Sequence, residues 1–162
     1  PNDIEGKEMI KEIYEIKKKY GKRIKIVFLE GYDMDLAKLM VAGVDVWLNT
    51  PTPPQEASGT SGMKAAHNGV PHVSILDGWW IEGFINRKTG WAIGTRKEPG
   101  LDKNFDKEDA KSLYFRLGER ILPRYYNEPQ KCRETMRHTI AINASYFNTE
   151  RMLQEYAQEA YL

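Results

Sequence analysis

The sequence predicts an α/β domain built on a parallel sheet, and three observations carry that expectation. Helix-spaced and strand-like segments alternate over residues 1–100, the order that sets parallel strands side by side. The strand candidates are short apolar runs with little alternation, which suits strands covered on both faces. Glycine and proline clusters separate one segment from the next.

Lys7–Tyr20 sets Ile10, Ile13, Tyr14 and Tyr20 near helical spacing among Lys and Glu, and Gly21 follows as a stop signal. Ile24–Leu29 is the first strand candidate. Asp33–Ala42 returns to helical spacing through Leu36, Leu39 and Met40, and Val44–Leu48 reads as the next strand. Asn49–Gln55 holds Pro51, Pro53 and Pro54, whose missing amide donors exclude regular structure, so a stiff loop is expected. Gly59–Asn68 predicts a short helix closed by Gly69 ahead of Pro71. His72–Leu76 is the third strand and Gly90–Ile93 a short fourth. Lys107–Ile121, Glu128–Ser145 and Asn148–Tyr161 are expected to be helical, the last capped by Asn148 or Thr149. The expectation is one partial domain over 1–162, with an α/β portion over 1–100 and C-terminal helices over 101–162.

Composition narrows the function classes. The 162 residues suit one compact domain, and 41% hydrophobic with 29% charged residues is the balance of a soluble globular chain. Lys+Arg number 24 and Asp+Glu 23, a net charge of +1, so no excess field favours nucleic acid or an anionic membrane surface. No apolar run approaches the roughly 18 residues of a membrane span. Cys132 is the sole cysteine, which excludes an internal disulfide and a thiol-built zinc site, and a reducing, cytoplasmic location is expected. The opening Pro1-Asn2-Asp3, without initiator Met or leader, reads as a piece of a longer chain.

In a parallel sheet the strand C-termini leave on one edge, outside which ligands of open α/β sheets bind. Glu30-Gly31-Tyr32, Asn49-Thr50 and Asp77-Gly78 are therefore expected to face one crevice, with Glu56–Lys64 passing over it. That last stretch, Glu56-Ala57-Ser58-Gly59-Thr60-Ser61-Gly62-Met63-Lys64, carries the chemistry. Small residues let a ligand approach the backbone, and a helix start offers free amides and a positive dipole end to an anion such as phosphate. Lys64 could reach the anion as a charge or condense with an aldehyde, while Glu56 and Ser58 offer an acceptor and a donor to a polyol. By residues alone, a ligand cradle and a plain structural turn stand level. The stretch is neither a Walker A loop nor a dinucleotide fingerprint.

Glu56–Lys64, followed by Asn68, resembles the pyridoxal-phosphate attachment motif of the glycogen/α-glucan (maltodextrin) phosphorylases, where Glu-Ala-Ser-Gly-Thr leads through two small residues to Met-Lys. Flanking strings match at the right distances: Phe28-Leu29-Glu30-Gly31-Tyr32-Asp33, Trp47-Leu48-Asn49-Thr50-Pro51, Asp77-Gly78-Trp79-Trp80 and Phe147-Asn148-Thr149-Glu150-Arg151-Met152. The Trp-Leu-Asn-Thr-Pro and Asp-Gly-Trp-Trp strings are closest to the shorter microbial branch.

The resemblance implies the late part of the second Rossmann-like domain of a two-domain, GT-B type glycosyltransferase fold, followed by C-terminal helices. It implies phosphorolysis of α-1,4-glucan by inorganic phosphate to glucose 1-phosphate. Lys64 matches the lysine that holds pyridoxal phosphate as a Schiff base. Thr60, Ser61 and Gly62 match residues beside the cofactor phosphate, and Tyr32 a tyrosine beside its ring. Glu56, Ser58 and Gly59 match groups that hydrogen-bond the glucosyl unit, so Lys64 and Glu56 are the expected catalytic residues, with no metal. In this family the cofactor phosphate, not the ring, takes part in proton transfer. His67 and Asp33 depart from the family pattern at positions that supply neither the lysine nor the phosphate amides.

The basic residues that hold substrate phosphate lie upstream in the family, in the missing N-terminal domain, so the piece alone is expected to be inactive. Ile24–Leu29, left as an apolar edge strand, is expected to drive homo-oligomer formation. Two alternatives stand beside this reading. One is a nucleotide-sugar glycosyltransferase of the same fold, which has no need of Lys64. The other is a non-catalytic glucan- or anion-binding fragment. His67, His72 and His138 share no metal spacing, Trp79 and Trp80 suit anchoring against the core more than sugar stacking, and Asp77 suits backbone amides as well as ligands.

Overall fold

The computed structural model describes residues 3–95 and 105–161, and the chain divides into two units, Pro1–Met34 and Asp35–Leu162. The expected boundary at 100/101 lies outside the described residues.

The first unit is led by helix α1 (Ile4–Tyr20), which starts earlier than its apolar spacing predicts because Asp3 caps it, accepting the Gly6 amide at 2.8 Å. Lys17, Lys18 and Lys19 sit in the last turn, where they oppose the negative end of the dipole. Residues 24–29, expected as a strand covered on both faces, form no strand, and Ile24 and Val27 are 59% and 58% exposed. A strand exists through its ladder, and among the described residues no neighbour pairs with this run. Its one ring contact within the unit is Phe28 on Tyr14 of α1, with centroids 6.0 Å apart.

Helix α2 (Met34–Gly43) begins on the last residue of the first unit and leads the second, which continues through β1 (Trp47–Asn49), α3 (Thr60–His67), β2 (His72–Ile75), α4 (Trp80–Gly83) and β3 (Gly90–Ile93). The strands form a parallel sheet in the order β1-β2-β3, so the α/β expectation holds with three strands. β1 begins at Trp47 rather than Val44, where the Trp47 amide first meets an acceptor, the Pro71 carbonyl at 3.1 Å. Then follow α5 (Asp106–Arg116), α6 (Leu122–Asn127), α7 (Pro129–His138) and α8 (Thr149–Tyr156). Three of the predicted helical stretches pass into π-type turns, at Leu117–Ile121, Thr139–Ala144 and Ala157–Tyr161. Asn148 caps α8, accepting the Arg151 amide at 2.9 Å. The short α4 and α6 carry too few turns for periodicity to reveal them.

The strand alternation divides the core between the two faces of the sheet. Val73 and Ile75 of β2 share one face with their partners Trp91 and Ile93 of β3, and Ile121 covers them. His72 and Ser74 point the other way, toward α3 and a cluster of Ala66, Trp79 and Trp80 that Met63 and Phe147 complete. Both faces are thus covered, which explains why β2 and β3 are buried at every position. Among the described residues no helix is long and apolar enough to cross a membrane.

Candidate functional site

The C-terminal edge of β1 and β2 is crossed by a strap, residues 55–59, that leads into α3. Asp77 follows β2, is 7% exposed, and accepts the Glu56 amide through Oδ2 and the Gly78 amide through Oδ1, both at 3.0 Å. Its carboxylate therefore fastens backbone, one of the two uses its position suggested. The Trp79 amide donates to the Ser58 carbonyl at 2.8 Å, and Gly78, at φ +53°, has no room for a side chain, since a Cβ would stand 2.5 Å from that same carbonyl. The strap is clamped to the turn after β2 by its main chain, and the half-buried side chains of Glu56 and Ser58 make no hydrogen bond or ion pair among the described residues.

Gly59 takes a left-handed conformation, φ +84°, and turns the strap into α3, whose first turn receives no side-chain cap. The Gly62 amide donates to the Gly59 carbonyl at 3.1 Å, and the Thr60 and Ser61 amides, which make no bond among the described residues, are left to a ligand or to water. Thr60 and Lys64 are exposed and four residues apart, so they share one face of the helix, while Gly62, Ala65 and Ala66 are buried on the other. The Lys64 ammonium has no hydrogen-bond or ion-pair partner among the described residues.

Gly62 is placed by packing. A Cβ there would stand 2.6 Å from His72 Cε1 and 2.9 Å from Trp79 Nε1, so the position admits no side chain, and its amide bonds the Gly59 carbonyl. Seven of the eight residues singled out by sequence thus fall on one continuous stretch, with Ser61 half-buried between Thr60 and Gly62. Tyr32 belongs to the first unit, where it is 62% exposed. His67 donates to or accepts nothing catalytic; its Nε2 bonds the Phe147 carbonyl at 2.9 Å and ties α3 to the turn before α8.

The arrangement can grip a phosphate at the uncapped start of α3 and present an amine one turn further on. That donor set fits a phosphate-bearing aldehyde such as pyridoxal phosphate, with Thr60 and Ser61 at the phosphate, Gly62 keeping the turn beside it narrow, and Lys64 at the carbonyl carbon. Among the described residues no group of His, Cys, Asp and Glu side chains could hold a metal ion.

Beneath α3, His72 is wedged between Trp79 and Trp80, with ring centroids at 5.3 and 4.7 Å. Burial pushes its imidazole from the ordinary 6.5 down to about 3. The folded state holds the neutral ring and the unfolded chain binds the proton more readily, so stability is complete above the ordinary value and is lost as pH falls through the acid range. A loss of about 2 kcal/mol by about pH 5 is expected. Thermal melts across that range measure it, and an acid limb that persists undiminished in a His72→Phe variant would assign the effect to other groups.

Sequence reasoning missed a second set of contacts. Thr89, Thr135 and Thr139 are fully buried; Thr135 Oγ1 donates to the Arg87 carbonyl at 3.1 Å and Thr139 Oγ1 reaches the Thr89 carbonyl at 3.3 Å. They fasten α7 and its π-type extension to the turn that enters β3. The available signal was Thr135 and Thr139 at helical spacing in an otherwise charged helix.

Comparison with known proteins bears on this site. The family model described as carbohydrate phosphorylase matches residues 2–94. The chain is 46% identical to the maltodextrin phosphorylase of Thermococcus litoralis over 162 residues, covering 99% of this chain and 19% of that protein. It is 47% identical to the glycogen phosphorylase of Aquifex aeolicus over 168 residues, covering 99% of this chain and 23% of that one. Against the glycogen phosphorylase of Mycobacterium tuberculosis the identity is 36%, over 99% of this chain and 19% of the relative. The chain spans about a fifth of the length of these curated relatives.

Proposed function

The chain belongs to the carbohydrate phosphorylase family, and from that premise we propose that it forms the late part of the second, Rossmann-like domain of a GT-B type α-glucan phosphorylase dependent on pyridoxal phosphate. The parent removes terminal glucosyl units from α-1,4-glucan with inorganic phosphate and releases glucose 1-phosphate. The observation that carries the reading is the uncapped start of α3 after the left-handed Gly59, with the unpartnered Lys64 one turn along the same face as Thr60. The cofactor, when bound, supplies a phosphate group able to exchange a proton with the substrate phosphate.

This chain's own residues then have separate tasks. The first-turn amides and Thr60 hold the phosphate, Lys64 tethers the carbonyl end, and the strap, fixed by Asp77, aims Glu56 and Ser58 at the sugar. The upstream part of the parent supplies the opposite wall, so the 162-residue piece alone does not turn over. The exposed Ile24, Val27, Phe28 and Leu29 support an apolar surface on the first unit for homo-oligomer formation, and a single cysteine is in keeping with a cytoplasmic location. Borohydride reduction of the full-length parent followed by peptide mapping tests the core of the reading. Label on Lys64 is expected, and label on a different lysine overturns it.

Glu56→Gln in the parent should depress turnover far more than stability. The Glu56 amide, not the carboxylate, makes the structural bond to Asp77, so the substitution leaves the strap in place. Loss of a charge-assisted bond to the sugar should cost about 1.5–3 kcal/mol in kcat/KM. Unchanged kinetics with a marked fall in Tm would move Glu56 to a structural role.

A further inference from the structure

A cleft of about 270 Å³ opens between the turn that enters β3, the π-type turns after α5, and the α6–α7 corner. Arg87 precedes β3, and the strap is fastened to the turn that follows β2, so in a parallel sheet the two lie at opposite ends of the strands, separated by about 10 Å. Arg87, Arg120, Arg124 and Lys131 line the cleft over Trp91, against the carboxylates of Glu119 and Glu128. Two positive charges remain in excess.

The distribution of partners is uneven. Lys131 Nζ lies 3.1 Å from Glu128, and the Arg124 guanidinium donates twice to the Lys131 carbonyl, at 3.2 and 3.0 Å. Arg87 and Arg120 have no carboxylate partner among the described residues; Arg120 only rests over the Phe115 ring at 5.5 Å. Two forked donors are thus left open on one cavity.

The backbone under Arg87 adds an independent observation. Arg87 is the non-glycine residue held in a left-handed conformation, φ 62°, where glycine or asparagine would serve the turn with less strain. Its amide donates to the Gly90 carbonyl at 3.0 Å, and its own carbonyl accepts from Thr135 Oγ1 at 3.1 Å. The guanidinium therefore stands on a turn anchored to both β3 and α7, which removes ordering cost from ligand capture.

We propose that this cleft binds a phosphate monoester the size of a sugar phosphate, with Arg87 and Arg120 gripping the dianion. A guanidinium fork matches phosphate oxygens in pairs, and two forks with a twofold charge excess match a dianion better than a carboxylate. The volume exceeds what a lone phosphate fills, Trp91 and Pro123 offer an apolar wall, and Glu119 is left to accept hydroxyls of the attached body. The site is separate from the α3 site and does not depend on the cofactor reading.

Hydrogen–deuterium exchange on the full-length parent tests it, with fructose 6-phosphate and inorganic phosphate as probes. Fructose 6-phosphate is expected to slow exchange in peptides covering 85–91 and 117–131, with a midpoint that rises about ten- to a hundredfold in Arg87→Gln and in Arg120→Gln. The protection should persist in Lys64→Ala, which separates this site from the α3 site. A weaker midpoint for inorganic phosphate supports a monoester, and an equal midpoint overturns it in favour of free phosphate. Absence of protection, or protection that survives both arginine variants, overturns the site itself.

Discussion

Replacement of Lys64 by alanine in the full-length parent is expected to abolish covalent capture of the cofactor while leaving the fold intact. The side chain is exposed and makes no bond among the described residues, and what α3 uses at this position is the main-chain carbonyl, which accepts Asn68 Nδ2 at 2.9 Å whatever the side chain. Truncation of such a residue changes stability by no more than about 0.5 kcal/mol. Turnover, in contrast, should fall by at least about 10²–10⁴-fold, the scale on which a positioned catalytic group acts. Lys64→Arg should fail equally, because a guanidinium keeps the charge but cannot condense with a carbonyl. Absorbance of the bound cofactor, turnover and Tm, measured together, decide the matter. A bound-cofactor band that survives in Lys64→Ala would remove the assignment. Full transfer from a nucleotide-sugar donor by the same variant would establish the glycosyltransferase alternative.

Gly90→Ala should produce the largest loss of stability of any conservative change in the second unit. A Cβ at this position would stand 1.9 Å from the His72 carbonyl oxygen, 2.9 Å from its carbon and 3.0 Å from its nitrogen. All three atoms are backbone of β2, and His72 is the registered partner of Gly90, so nothing can give way without parting the β2 and β3 ladder. The residue also sits at φ +153°, a region that side chains rarely enter. Overpacking and strain each cost about 1–3 kcal/mol, a large share of the stability of an ordinary domain. Urea denaturation followed by circular dichroism should show a midpoint far below the parent's. Gly118→Ala is the internal control: no atom lies within 4 Å of its Cβ position, and the change should be neutral or stabilising by up to about 1 kcal/mol. Similar midpoints for the two variants would mean that the β2 and β3 contact is not what holds the sheet.

Much of the candidate site was legible because its features are local. The small residues before Thr60 announce a helix start with an open first turn, and Pro51, Pro53 and Pro54 announce the loop that delivers the chain to it. The buried runs of β2 and β3 were equally legible, as short runs rich in apolar residues and bounded by turn residues. Residues 24–29 show where such reading stops. Their composition equals that of a buried strand, but a strand also needs a neighbour to pair with, and hydropathy carries no information on whether one is present.

The sequence by itself determined the small-residue helix start and loop between Glu56 and Lys64, the family that the stretch resembles, and most of the order of helices and strands that carries it. These follow from φ preference, absent amide donors and side-chain reactivity, all of which act within a few residues. Only the tertiary structure decided that Gly62 turns inward onto His72 and Trp79, that Asp77 spends its carboxylate on the strap, and that Arg87 and Arg120 meet across one cleft. His67 bonds a carbonyl 80 positions away, and Thr139 one that lies 50 away. Which groups find one another across such separations is set by how the elements pack on the two faces of the sheet, and no local preference encodes it.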